Sequence, residues 1–324
     1  MKVGLQIPSF TFPGRDSADI FPTVSAAART AEKNGFDTVL VMDHFHQLPH
    51  LGPQDDPMLE CYTILSAIGA VTETIKLSAL VTGVTYRNPS MLAKAVTTLD
   101  VVSGGRAIAG IGAAWFEAEH LAYGYEFPPL KERFEKLEDG LHILRAMFDN
   151  HQSTYTGTHH SINGAYNVPR PVQSHLPIMV GGSGEKKTFR MAVQHADMLN
   201  MTAGHAEIGH KLSVIKEHLA NFKRDRSTFE VSSHNVVLVG ETQKDFDELL
   251  KDGLAMRGWD PSTTREQVEG LLGRALFGTP EEIIAKVKGL RAQGLDSITV
   301  ALMGGVNDLE QVALAGRTLA AAFD

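Results

Sequence analysis

The chain has 324 residues, 43% of them hydrophobic and 21% charged, with 30 glycines and 14 prolines, a profile that excludes a disordered or fibrous polymer. A formal net charge of -8 without any basic cluster argues against a nucleic-acid surface and points to a small-molecule partner. The single cysteine, Cys61, rules out an internal disulfide framework, and no apolar run reaches membrane-spanning length, so the sequence predicts a cytoplasmic protein without membrane segments.

The N-terminus lacks a long apolar core and a cleavage site, so residues 2–7 read as a first strand and not as a signal peptide. A helix over 18–34 has an alanine-rich face and stops at Gly35, a residue suited to a left-handed cap. Residues 37–42 form a second strand that runs directly into Asp43-His44-Phe45. A helix over 59–71, a strand over 75–81 and a helix over 90–102, stopped by Gly104-Gly105, come next. A fourth strand over 106–111 precedes a helix over 131–148, whose stripe is Phe134, Leu137, Leu141, Leu144 and Phe148. The alternation continues with strand 177–180, helix 186–195, strand 197–200, helix 208–222, strand 235–239, helix 280–292, strand 296–301 and helix 309–321.

Eight strands, each followed by a helix, predict an α/β fold of the (β/α)8 TIM barrel type, as one domain over residues 1–324. Two stretches fall outside the repeat. Residues 150–173 carry turn residues and read as a hairpin insertion, and residues 241–277 read as a helical excursion.

In such a barrel the chemistry gathers at the carboxyl ends of the strands. Asp43-His44 follows strand two, Thr82 to Pro89 strand three, Gly112-Ala113-Ala114-Trp115-Phe116-Glu117 strand four, and Gly181-Gly182-Ser183-Gly184 strand five. The glycine-rich turn lets the backbone approach an oxyanion, and with Ser183, Lys186 and Lys187 it suits a phosphate; an ordinary tight turn is the alternative. His44 is a candidate acid/base group or a hydrogen-bonding wall, against a structural histidine at the core's edge. Arg87, in a mouth loop, is placed to pair with a carboxylate or phosphate, whereas Arg106 opens a strand at the opposite end and reads as structural. Tyr86, Trp115 and Phe116 either stack on an aromatic ligand or pack the helix tops. Glu117, Glu119 and His120 read as a solvated first helical turn. His46 and His50 lack further ligands at a recognisable spacing, so no metal centre is predicted.

Together, Asp43-His44-Phe45, the run from Thr82 to Lys94, Thr98 to Arg106, Gly110 to His120 and Gly181 to Lys187 resemble the luciferase-like flavin and deazaflavin oxidoreductases over nearly the whole chain. The resemblance is strongest to the branch expected to use the deazaflavin coenzyme F420, with FMN as the alternative cofactor. It implies a barrel with the ring in its mouth, His44 facing the ring, and Ala79, Leu80, Val81 and Thr82 backing it. Asp43, Gly112 and Ala113 complete that bed, and Gly181, Gly182, Ser183 and Gly184 hold the cofactor phosphate. A non-prolyl cis peptide found in some relatives would fall at Ala79-Leu80. In deazaflavin-dependent sugar-phosphate and alcohol dehydrogenases of this superfamily, a tryptophan lies four residues after the histidine and a glutamate follows the strand-four glycines. Those positions are Leu48 and Trp115 here, so the resemblance supplies no relay partner for His44, and Glu117 is the expected substitute as second catalytic residue. The implied activity is hydride transfer between deazaflavin and a small organic substrate, by an enzyme that dimerises as many relatives do. An FMN-dependent two-component monooxygenase and a non-catalytic flavin-binding protein are the alternatives. The mixed apolar and aromatic loops suggest a substrate that is not strongly anionic.

Overall fold

A computed structural model describes residues 2–324. Eight parallel strands form the barrel: β1 Val3–Ile7, β2 Thr38–Val41, β3 Lys76–Ala79, β4 Ala107–Gly112, β5 Ile178–Gly181, β6 Met198–Met201, β7 Glu230–Val239 and β8 Ser297–Leu302. Each pairs with the next in order, and the ring closes where Val300 of β8 lies beside Leu5 of β1. The expected TIM barrel is therefore the observed architecture.

Side chains alternate across each strand, and the two faces have different work. Val39, Leu77, Ala109, Ile178, Leu199 and Val300 point outward into the apolar layer beneath the helices. Leu40, Ile108, Met179 and Met198 point inward and plug the barrel. Above that plug the interior turns polar: Asn200 Nδ2 donates to Ser232 Oγ at 2.8 Å and to Thr299 Oγ1 at 3.0 Å. Gln6, Asn200 and His234 thus form a polar floor beneath the mouth.

The helices begin where the sequence provides caps. Asp16 accepts from Ala18 N and forms a reciprocal box with Asp19, starting the helix Ser17–Lys33 that packs Val24, Ala27, Ala28 and Ala31 inward. Asn88 caps Pro89–Val102, whose proline sits in the first turn where no amide donor is needed.

The stretch 150–173 holds the expected hairpin, Gln152–Thr156 paired antiparallel with Ser161–Tyr166. Buried Asp139, on the helix Leu130–Asp149, anchors it by accepting from the backbone N–H groups of Thr158, His159 and His160 and from Tyr155 OH. The stretch 241–277 contains the helices Gln243–Met256 and Arg265–Leu272, opened by boxes at Thr242 and Thr264. It also contains a strand the sequence reading did not separate, Ala275–Gly278. That strand pairs parallel with the upper half of β7, from Val236 to Val239, while β7's lower half, Glu230 to Ser233, pairs with β6. Phe246, Leu250, Leu254, Val268 and Phe277 give the excursion its own apolar cluster against Val236, Leu238 and Met303. Among the described residues no helix is long and apolar enough to cross a membrane.

Candidate active site

The strand ends converge on a cleft of about 820 Å³ at the barrel mouth. Asp43, His44, Leu80, Val81, Thr82, Gly112, Ala113, Gly181, Gly182, Ser183 and Gly184, far apart in the chain, all line it. Two sequence candidates do not. Ala79 is fully buried in the outward apolar layer, and Glu117 is exposed on the short helix Glu117–Ala122, away from the cleft lining.

The carboxylate that meets His44 is Glu119, two residues on. Its Oε2 lies 2.9 Å from His44 Nδ1, and its Oε1 accepts from Phe45 N–H at 2.6 Å and from His46 N–H at 3.3 Å. Tyr86 OH donates to Oε2 as well. The side chain is completely buried, so the expectation of a solvated turn fails for Glu119 and for equally buried His120. A shift of two helical positions explains the difference: on this six-residue helix Glu117 turns outward while Glu119 and His120 face the barrel top. Burial pushes the Glu119 carboxyl upward, but the hydrogen bond and charge of His44, with the Tyr86 and Phe45 donors, outweigh it and hold the pKa below the ordinary value. Burial and the bond to Glu119 together raise that of Tyr86. An ionised Glu119 can only accept, so the Nδ1 of His44 carries the hydrogen and Nε2 is left as the free ring nitrogen. The edges of Trp115 and Phe116 stand over the imidazole with centroids at 5.9 and 6.1 Å.

Arg87 is committed to the protein itself. Its fork grips buried Asp43 at 2.5 and 3.0 Å and reaches Glu60 at 2.6 Å, so it is a brace beneath the mouth. Arg106, as expected, is structural: it donates to the carbonyls of Gly69, Thr72, Ile75 and Ser103 at the opposite end.

The cis peptide is present but one residue later than expected, between Leu80 and Val81. The β2–β3 ladder persists through Leu80 N–H, which donates to Val41 O at 2.8 Å, and the chain departs from the strand only after it. Val81 then rests against the glycine turn: a Cβ on Gly181 would lie 2.6 Å from Val81 Cγ2, and Gly182 has φ +137°, so neither position admits a side chain without displacement. Ser183 locks the turn by donating to Thr202 O at 2.6 Å and accepting from Thr202 N–H at 2.9 Å. Lys211, which the sequence reading did not single out, donates to Glu185 Oε1 at 2.8 Å beside this turn. Its distance along the chain hid it.

Two guanidiniums of the excursion also escaped notice. Arg257 and Arg274 are partly buried, each has a buried Nε without a partner, and neither has a carboxylate at ion-pair distance among the described residues. Burial lowers both pKa values. Arg274 acts electrostatically on His234 of the cleft floor, whose pKa is pulled down to about 3 by burial and then by that charge.

The model of the luciferase-like monooxygenases matches residues 1–297. The chain belongs to that family. Among curated relatives, an uncharacterised protein of Mycobacterium tuberculosis is 32% identical over 216 residues, 63% of this chain and 76% of its own. An F420-dependent glucose-6-phosphate dehydrogenase of Microbacterium testaceum is 34% identical over 176 residues, 54% of this chain and 50% of that enzyme. The structure of an F420-dependent secondary alcohol dehydrogenase in complex with an F420-acetone adduct superposes with a TM-score of 0.80 over 100% of this chain and 99% of that one, at 19% identity. At that identity the superposition establishes the luciferase-like fold.

Proposed function

We propose that this protein is an F420-dependent oxidoreductase that transfers hydride between the deazaflavin and a small organic substrate, with His44 moving the accompanying proton. The observation that carries the reading is the His44–Glu119 pair at 2.9 Å, set in the cleft with the imidazole's free nitrogen and a glycine turn for a phosphate. Relatives named for F420-dependent activity support it.

The residues fit the cofactor. Leu80 and Val81 offer an apolar bed, Asp43, Thr82, Gly112 and Ala113 its rim, and the side-chain-free backbone at Gly181 and Gly182, with Ser183, Gly184 and Lys187, a seat for a phosphate. When bound, the deazaflavin supplies the hydride donor or acceptor. Glu119 holds the imidazole in one tautomer and balances the charge when Nε2 takes a proton. Phe45 N–H, His46 N–H and Tyr86 keep Glu119 in place, and Trp115 and Phe116 pack against the His44 ring. The same reading takes the enzyme as a cytoplasmic homodimer.

Titration of purified protein with oxidised and reduced deazaflavin and with FMN tests the cofactor; tighter binding of FMN overturns it. His44→Ala should lower turnover by about 10²-fold or more while leaving cofactor affinity nearly unchanged, and unchanged turnover removes the proton-transfer role.

A further inference from the structure

Outside the cleft, two helices bring together a set of donors that the proposed chemistry does not use. Glu138 and His142 lie four residues apart on Leu130–Asp149, and so on one face of it. His195 is the last residue of Thr188–His195, the helix that follows the glycine turn. One donor atom from each of the three lies within 4.8 Å of the others. Between the helices is a cavity of about 290 Å³ lined by His142 and His195 together with Arg145, Gln194 and Arg224.

The contacts within this cluster are incomplete in an informative way. His195 Nε2 is buried without a hydrogen-bond partner, and Glu138 Oε1 stands 3.9 Å away. A buried polar nitrogen normally finds a partner. The two imidazoles meet edge to face with centroids 4.5 Å apart, too close for both to be comfortably charged, and His142 is backed by the stacked ring of Tyr155 at 5.2 Å. Burial, then the charges of His142 and Arg190, depress the pKa of His195 to about 4, which keeps its ring neutral with a lone pair available at physiological pH. The positive groups nearby are partly spoken for: Arg145 is paired with Asp149 and Asp197.

We propose that Glu138, His142 and His195 form a binding site for a divalent transition-metal ion, of which zinc is the representative, clamping the two helices together outside the cleft. Two imidazoles and one carboxylate select borderline ions over magnesium or calcium, which prefer all-oxygen shells. Metal–ligand bonds of about 2.0–2.2 Å require donors about 3.3–3.6 Å apart, so the three side chains close by roughly 1 Å through rotamer adjustment, and water completes the shell. A sequence search misses the site because only Glu138 and His142 are local; the third ligand arrives through the packing of the next barrel helix. The site stands independently of the cofactor reading, since none of its residues lines the cleft.

The test uses the tag-free full-length chain, stripped with a chelator and titrated with zinc, and separately with cobalt, whose visible absorption reports a low-coordinate nitrogen and oxygen shell. One equivalent should bind, and zinc should raise the melting temperature of the wild-type chain. His195→Gln, His142→Gln and Glu138→Gln should each weaken binding at least tenfold and remove that rise, while melting cooperatively without metal. Magnesium should give no rise. Absence of one-equivalent binding at 100 µM zinc overturns the proposal, as does undiminished binding in the His142→Gln/His195→Gln double variant, which would assign the ion to other histidines.

Discussion

Replacing Glu119 by Gln keeps the shape of the side chain and removes its charge at the one point where His44, Phe45, His46 and Tyr86 all depend on it. A carboxylate can accept from all four donors, whereas a carboxamide presents one acceptor oxygen and must turn its own N–H groups toward donors. At least one buried donor is then left unmatched and the charge assistance is lost, a cost of about 2–4 kcal/mol. For 324 residues the unfolding entropy is about 0.7 kcal/mol per kelvin, so the melting temperature should fall by about 3–6 °C. Glu117→Gln is the matched control: its side chain is exposed, and the change should be within about 0.5 kcal/mol. Urea titrations of Glu119→Gln, His44→Ala and the double variant close a cycle in which the contact at 2.9 Å should give a coupling energy of about 1–3 kcal/mol. A Glu119→Gln protein as stable as Glu117→Gln, or a coupling energy indistinguishable from zero, would refute the assignment of Glu119 as the partner of His44.

Stability should also depend on pH with a definite sign. His195 and His234 have folded pKa values pulled down to about 4 and about 3, so below the ordinary value of 6.5 the unfolded chain takes up protons that the folded chain refuses. Unfolding free energy measured in chelator should therefore be complete above pH 6.5 and fall between 6.5 and 4, the His195 share being on the order of 1–2 kcal/mol after solvent screening; a flat profile in that window, or an unchanged one in His195→Leu, contradicts the burial of these rings. The depressed carboxyls of Glu119 and Asp139 add a further loss as pH drops through their folded values. Gly110→Ala would place a Cβ 2.0 Å from Ala79 O, so the midpoint of urea unfolding should drop by an amount corresponding to about 2–3 kcal/mol, and wild-type stability would deny the close β3–β4 approach. Arg106→Lys forfeits the planar fork that reaches the carbonyls of Gly69, Thr72 and Ile75, at a cost of about 1–3 kcal/mol in the same assay; a neutral result would mean that these carbonyls do not need it.

The barrel was legible because its signals are local. Val39, Leu40 and Val41 form an apolar run, Asp16 and Asn88 are caps, and the same alternation repeats around the ring. The glycine turn and His44 were legible for the same reason, as strand endings. Glu119 was not: its partner His44 is 75 residues away, and no periodicity on a six-residue helix distinguishes it from Glu117. Arg87 was expected at the mouth to pair with a carboxylate or phosphate, but it lies beneath the cleft, and because its carboxylates, Asp43 and Glu60, come from other segments, only the fold reveals that it is already paired. The strand Ala275–Gly278 was absorbed into a helical stretch because four residues between two helices carry too little pattern to stand out.

That strand gives β7 two neighbours on one side, β6 below and Ala275–Gly278 above. The seam between β6 and β7 is therefore made by Glu230 to Ser233 alone, while Val236 to Val239 give that same edge to the excursion. The fold divides its labour along a single strand. Mutations that reshape residues 241–277 act above the seal, so the segment carrying Arg257 can be exchanged between related chains without reopening the barrel. Variation in the excursion is thereby uncoupled from the integrity of the container.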